Sequence, residues 1–139
     1  MDNYLTPEIF REVVESFDWP AEYLIEDDLP DGMTLKFPHC SLYFPEGYEG
    51  EMSLEFLPED TGFPYNLGLF EAMMVFAPFS ERDGRPLVEG LRNDDAPYGS
   101  ETKVRNGVHD LCMWAQKYLH PVILGDFSWV QRYREMTGR

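Results

Sequence analysis

Basic residues are the first scarcity in this 139-residue chain. Eleven Lys and Arg stand against 26 Asp and Glu, a formal net charge of −15. A duplex phosphate backbone would be repelled, because nucleic-acid binding needs clustered cations to release counterions, so no direct nucleic-acid partner is expected. An anionic membrane surface is disfavoured on the same ground. What remains is a basic partner, a small ligand, or no charged partner. Cysteine is nearly as rare. Cys40 and Cys112 are too few for a disulfide framework, and a reduced, cytoplasmic setting is expected. The longest apolar run, Ala72 to Ala77, is far short of a membrane span. Met1-Asp2-Asn3-Tyr4 has neither the basic nor the apolar region of a signal peptide. Eleven Gly and eleven Pro follow no period, which excludes a collagen-like chain.

Catalytic motifs are missing too. There is no G-x-S-x-G, and Gly47 and Gly50 lack the Lys and helix that complete a phosphate loop. Glu26-Asp27-Asp28 and Asp31-Gly32 lack the alternating spacing of a calcium loop. His39, Cys40, His109 and Cys112 form a set that zinc accepts. However, adjacent strand residues point oppositely, which separates His39 from Cys40. Both cysteines also fall on apolar stripes, where the thiol acts as a small hydrophobe. A His109–Cys112 nucleophile pair lacks an orienting third group. No metal and no cofactor are expected.

The 43% of hydrophobic residues suffices for one α+β domain over 1–139. Thr6-Pro7 has the cap and first-turn residues of a helix, and Ile9, Phe10, Val13, Val14 and Phe17 place one apolar stripe on a helix over 7–17. Tyr23-Leu24-Ile25 suits a short strand, and Leu29-Pro30-Asp31-Gly32 suits a type I turn. Period-two alternation then recurs three times. Met33, Leu35 and Phe37 oppose Thr34 and Lys36; Cys40, Leu42 and Phe44 oppose Ser41 and Tyr43; Met52, Leu54 and Phe56 oppose Ser53 and Glu55. This pattern predicts an antiparallel meander with one buried face. Met73 to Phe79 fits a fourth strand better than a helix, because Pro78 interrupts the segment. Residues 80–100 read as a long polar loop. Ser100 caps a helix carrying Val104, Val108, Leu111, Cys112, Ala115 and Leu119, and Asp126 caps a last helix with Trp129, Val130, Tyr133 and Met136 inward. The expected fold is an antiparallel sheet of about four strands with helices packed on one face.

The acidity is lopsided. Residues 1–60 carry 16 acids and only two bases, Arg11 and Lys36; residues 61–139 carry ten acids and nine bases. A solvated, solubilising surface explains some of this. Yet the acidic stretches are interleaved with Trp19, Tyr23, Tyr43, Tyr48, Phe63, Tyr65 and Tyr98, and Tyr and Trp anchor protein interfaces. Acidic rims steer basic partners and fix their orientation. The densest such places are the turns Glu26, Asp27, Asp28 and Asp31, and Glu46, Tyr48, Glu49 and Glu51, with Tyr43 between them. These nine residues are the candidate partner-binding set.

A small acidic, aromatic-rich chain without catalytic motifs resembles bacterial immunity proteins that neutralise toxins. The segment Gly125-Asp126-Phe127-Ser128-Trp129-Val130-Gln131-Arg132-Tyr133 is similar to the end of some of them. The resemblance implies a dedicated, basic protein partner, often a nuclease, and no catalysis. Two other readings compete: a small enzyme with a pocket between the 100–119 helix and the 80–100 loop and His109 as acid or base, and a nucleic-acid mimic that occupies a DNA-binding protein.

Overall fold

The computed structural model describes residues 4–58, 67–68, 92, 97–126, 128, 131 and 135. The first helix, α1 (Pro7–Glu15), starts as its sequence dictates: the Thr6 hydroxyl accepts the Ile9 N–H at 3.2 Å, and Pro7 needs no donor there. Its stripe of Ile9, Phe10, Val13 and Val14 is buried.

A meander follows. Strands β1 (Leu24–Asp28), β2 (Gly32–Lys36), β3 (Cys40–Pro45), β4 (Glu55–Pro58) and the two-residue β5 (Leu67–Gly68) pair antiparallel in sequence order. Register explains why the alternation was readable. Ile25, Leu35, Leu42 and Phe56 lie opposite one another across the sheet, as do Met33 and Phe44 on the same side. Leu35, Leu42, Phe44 and Phe56 are buried, and Leu54 joins them ahead of β4. A second long helix, α2 (Glu101–Tyr118), is capped by the Ser100 hydroxyl on the Lys103 N–H, 3.1 Å, and leads into the short α3 (His120–Ile123). Val104, Val108, Leu111, Cys112 and Ala115 of α2 share one core with α1 and the sheet, with Phe10 edge-on to Phe44 at 5.1 Å between centroids. The fold is thus α+β, an antiparallel sheet with helices on its apolar face.

Local differences from expectation have physical causes. Helix α1 stops at Glu15, where Ser16 caps it by turning its N–H and hydroxyl onto the Val13 carbonyl. Glu26-Asp27-Asp28 is strand, not turn: pairing with Met33 and Thr34 continues β1 through the acids, which stay exposed and so keep their hydration. The turn is Asp28–Asp31, with a cis Leu29–Pro30 bond and the Asp31 N–H on the Asp28 carbonyl at 3.1 Å. Between β3 and β4, a 3₁₀ turn at Tyr48–Gly50 and an isolated bridge Glu46–Met52 consume residues, so β4 begins at Glu55 rather than Met52. Helix α2 ends at Tyr118 with Leu119 as its cap, and Pro121 lies in the first turn of α3. Gln131 and Glu135 are helical. The proposed strand over 73–79, most of the 80–100 loop, and Trp129, Val130, Tyr133 and Met136 lie outside the described residues.

Candidate functional site

Helices cover one face of the sheet, so the other face is where exposed side chains can gather. Two rows cross it: Leu24, Lys36, Ser41 and Leu57, then Glu26, Thr34, Tyr43 and Glu55. Asp28 continues this face one step along β1, by the same period of two. Asp28, Asp31, Thr34, Ser41, Tyr43 and Leu57 line a concavity of about 380 Å³. Four of the nine candidate residues, Glu26, Asp28, Asp31 and Tyr43, are therefore brought to this face or its rim.

Hydrogen bonds fix the arrangement. The Thr34 hydroxyl donates to the Asp28 carboxylate, while Asp27 turns one oxygen to the Leu29 N–H at 2.9 Å. Burial pushes the Tyr43 hydroxyl above its ordinary value, and the carboxylates of Asp31, Asp28 and Glu55 push it further. Tyr43 thus presents a neutral phenol ringed by negative charge. Lys36 stands 3.8 Å from Glu26, both half-exposed, a pairing worth little in water.

Glu46, Tyr48, Glu49 and Glu51 sit past the end of β3, against the start of α2. The Glu46 N–H donates to the Asp31 carbonyl at 3.0 Å, so this loop and the β1–β2 turn abut. The Glu46 carboxylate accepts the N–H groups of Tyr4 and Leu5 at 2.7 and 3.1 Å, which commits it to holding the N-terminal segment. Glu49 adopts φ 53, and its carbonyl accepts the Gly99 N–H at 2.7 Å. Gly50, φ 83, lies against α2, where an added Cβ would meet Val104 at 3.1 Å. The loop is pinned from below. Above it Tyr48 is 68% exposed, and Glu51 is exposed as well.

Two residues escaped the sequence-based set. Glu55 faces Tyr43 across β3–β4, which the alternation alone implied. Thr34 belongs to the site through Asp28, and no sequence signal marks a threonine bonded to a carboxylate six residues away.

His109 and Cys112 of the enzymatic reading lie on α2, and most of the 80–100 loop paired with them there lies outside the described residues. His109 packs on Phe17, 5.5 Å between centroids, with its Nδ1 2.9 Å from Asp110. Cys112 is buried in the core, and burial pushes its thiol far up, away from the reactive thiolate. Cys40 is buried while His39 is exposed. Among the described residues no group of three or more His, Cys, Asp or Glu is placed to hold a metal ion. No described helix is long and apolar enough to cross a membrane. Comparison of the chain with protein families, with curated proteins and with solved structures finds no match.

Proposed function

We propose that this chain is a non-catalytic binding protein of the immunity type, whose open sheet face and adjoining acidic loop block a basic protein toxin. One observation carries the reading: Tyr43 stands half-buried on the face turned away from the described helices, amid Asp28, Asp31 and Glu55, where it lines a concavity. A tyrosine in such a place offers a rigid apolar ring at small entropic cost, and the carboxylates around it select a cationic side chain. Tyr48, on the abutting loop, offers a second exposed aromatic ring. The lopsided charge supports it further, because a field concentrated in one half of the chain orients an approaching partner.

Affinity capture from a lysate of the native host tests this. The wild-type chain should retain one basic protein. A variant with Tyr43→Ala and Asp31→Lys should lose it, and one with Glu8→Lys and Glu15→Lys on α1 should keep it. Co-expression of the chain should then relieve the toxicity of the captured protein. No basic protein that distinguishes the two variants, or a captured protein without toxicity, would overturn the proposal.

A further inference from the structure

Among the described residues the sheet has an unpaired margin as well as a face turned away from the helices. Strand β1 pairs with β2 alone, and among the described residues no strand lies beyond it. Its sequence is Leu-Ile-Glu-Asp-Asp, and Leu24 at its head is 69% exposed. In an antiparallel strand every second residue directs its N–H and C=O away from its neighbour, so the margin carries unused backbone donors and acceptors. Edge strands are commonly guarded by charged side chains, by proline or by a bulge, and a charged guard repels a strand of like charge. In β1 the guard is negative throughout, Glu26, Asp27 and Asp28, and so leaves a positively charged strand unopposed.

We infer that this edge receives an extended, basic segment of the protein partner as an added strand, a refinement that rests on the docking reading above. Charge decides against a second copy of this chain. Antiparallel self-pairing centred on Glu26 sets Glu26 against Glu26, and parallel in-register pairing stacks all three acids on their twins; like charges directly opposite destabilise a sheet. A strand bearing Lys or Arg meets no such penalty and gains opposite-charge pairs.

The two ends of β1 differ, and this sets the pattern of the incoming segment. Beside Leu24 lies a mainly apolar concavity of about 370 Å³, lined by Glu22, Tyr23, Leu24, Lys36, Phe37 and Pro38. Beside Asp28 lies the acidic concavity around Tyr43. Leu24 and Asp28 are four residues apart, so they share a face at a separation of roughly 13 Å along the strand. An added strand also repeats every second residue. It therefore places an apolar side chain beside Leu24 at the first concavity and a Lys or Arg, four positions away, beside Asp28 at the rim of the second.

A capped nonapeptide with Leu and Arg four apart and Thr and Val between them is the probe, and amide hydrogen exchange followed by NMR is the readout. The outward amides of β1 should slow at least about tenfold on saturation with peptide at about 1 mM, a concentration suited to one added strand. The same peptide with Glu for Arg should give no protection. Glu26→Lys with Asp28→Lys should abolish the effect, whereas Glu8→Lys with Glu15→Lys, which changes net charge equally, should retain it. Unchanged β1 exchange in the wild type, or equal protection by both peptides, would overturn the inference. A captured partner that binds with β1 exchange unchanged would also overturn it while leaving the docking reading intact. Failure to capture any basic partner would remove the docking reading but not the peptide result.

Discussion

Single residues decide how closely β2 and β3 can approach. A Cβ on Gly32 would come within 2.4 Å of the Phe44 carbonyl oxygen and 2.8 Å of the Pro45 Cα, both backbone atoms that cannot swing aside. Gly32→Ala is therefore expected to lower stability by about 1–3 kcal/mol, as overpacking does, and chemical denaturation would measure it. An unchanged midpoint would mean that the strand margins give more readily than the structure indicates. Tyr43 supplies a test of the site's field. Its hydroxyl titrates above the ordinary 10.0 because of burial first, then Asp31, Asp28 and Glu55. In the unfolded chain it loses its proton near the ordinary value, while the folded chain still holds it. The stability it contributes is thus fully present below about pH 10 and is lost as pH climbs through the raised value. Tyr23 is raised too, by burial and then Glu15, so the two losses overlap. Tyr43→Phe should make the alkaline fall in stability shallower, and Asp31→Asn should move the phenol's ultraviolet transition back toward 10.0. If Tyr43→Phe left the alkaline limb unaltered, the field described around that hydroxyl would be wrong.

The elements follow from periodicity wherever one side of the strand is buried. Met33 to Phe44 could be read from sequence because Met33, Leu35, Phe37, Cys40, Leu42 and Phe44 are all buried in the core, while Thr34, Ser41 and Tyr43 alternate with them on the opposite face. The same logic misplaced Glu26-Asp27-Asp28, since at this exposed edge Asp27 occupies the position opposite Met33 where the alternation calls for an apolar residue. Loop geometry escaped for a different reason. The bonds of Glu46 to Tyr4 and Leu5 join positions about forty apart, and no local pattern encodes such a pairing. The candidate site was legible in its residue types and in Tyr43's side of the sheet. Its assembly from two segments, through Asp31 and Glu46, was not. Substitution along β3 tests the face assignment. Leu42→Ala should cost about 2–5 kcal/mol as a fully buried leucine, whereas Ser41→Ala, half-buried on the open face, should stay within about 0.5 kcal/mol. Thr34→Val is expected to cost more than Ser41→Ala, because it leaves Asp28 without the threonine hydroxyl. Thermal or urea unfolding of the three variants ranks them, and equal costs for Leu42 and Ser41 would reverse the register.

At the scale of the whole molecule, net charge governs how a partner arrives. Exposed acids such as Glu51 act over a Debye length of about 8 Å at physiological ionic strength, so they shape encounter more than the settled complex. Glu49→Lys with Glu51→Lys should slow association with the purified partner several-fold and change dissociation little, and added salt should slow the wild type toward the same rate. Stopped-flow measurement at two salt concentrations reads both. An association rate indifferent to salt and to these reversals would leave the acidity as a solubility device. Glu46 is unsuited to such reversal, since its carboxylate is spent on backbone amides. That carboxylate also has a practical consequence. It fixes Tyr4 beside the Tyr48 loop, so an affinity tag or fusion joined ahead of Tyr4 would leave the molecule next to the very surface assigned to the partner. Attached there, even an inert passenger would shade the proposed partner surface, and an experiment run on such a fusion would report weak binding for reasons that belong to the passenger rather than to the protein.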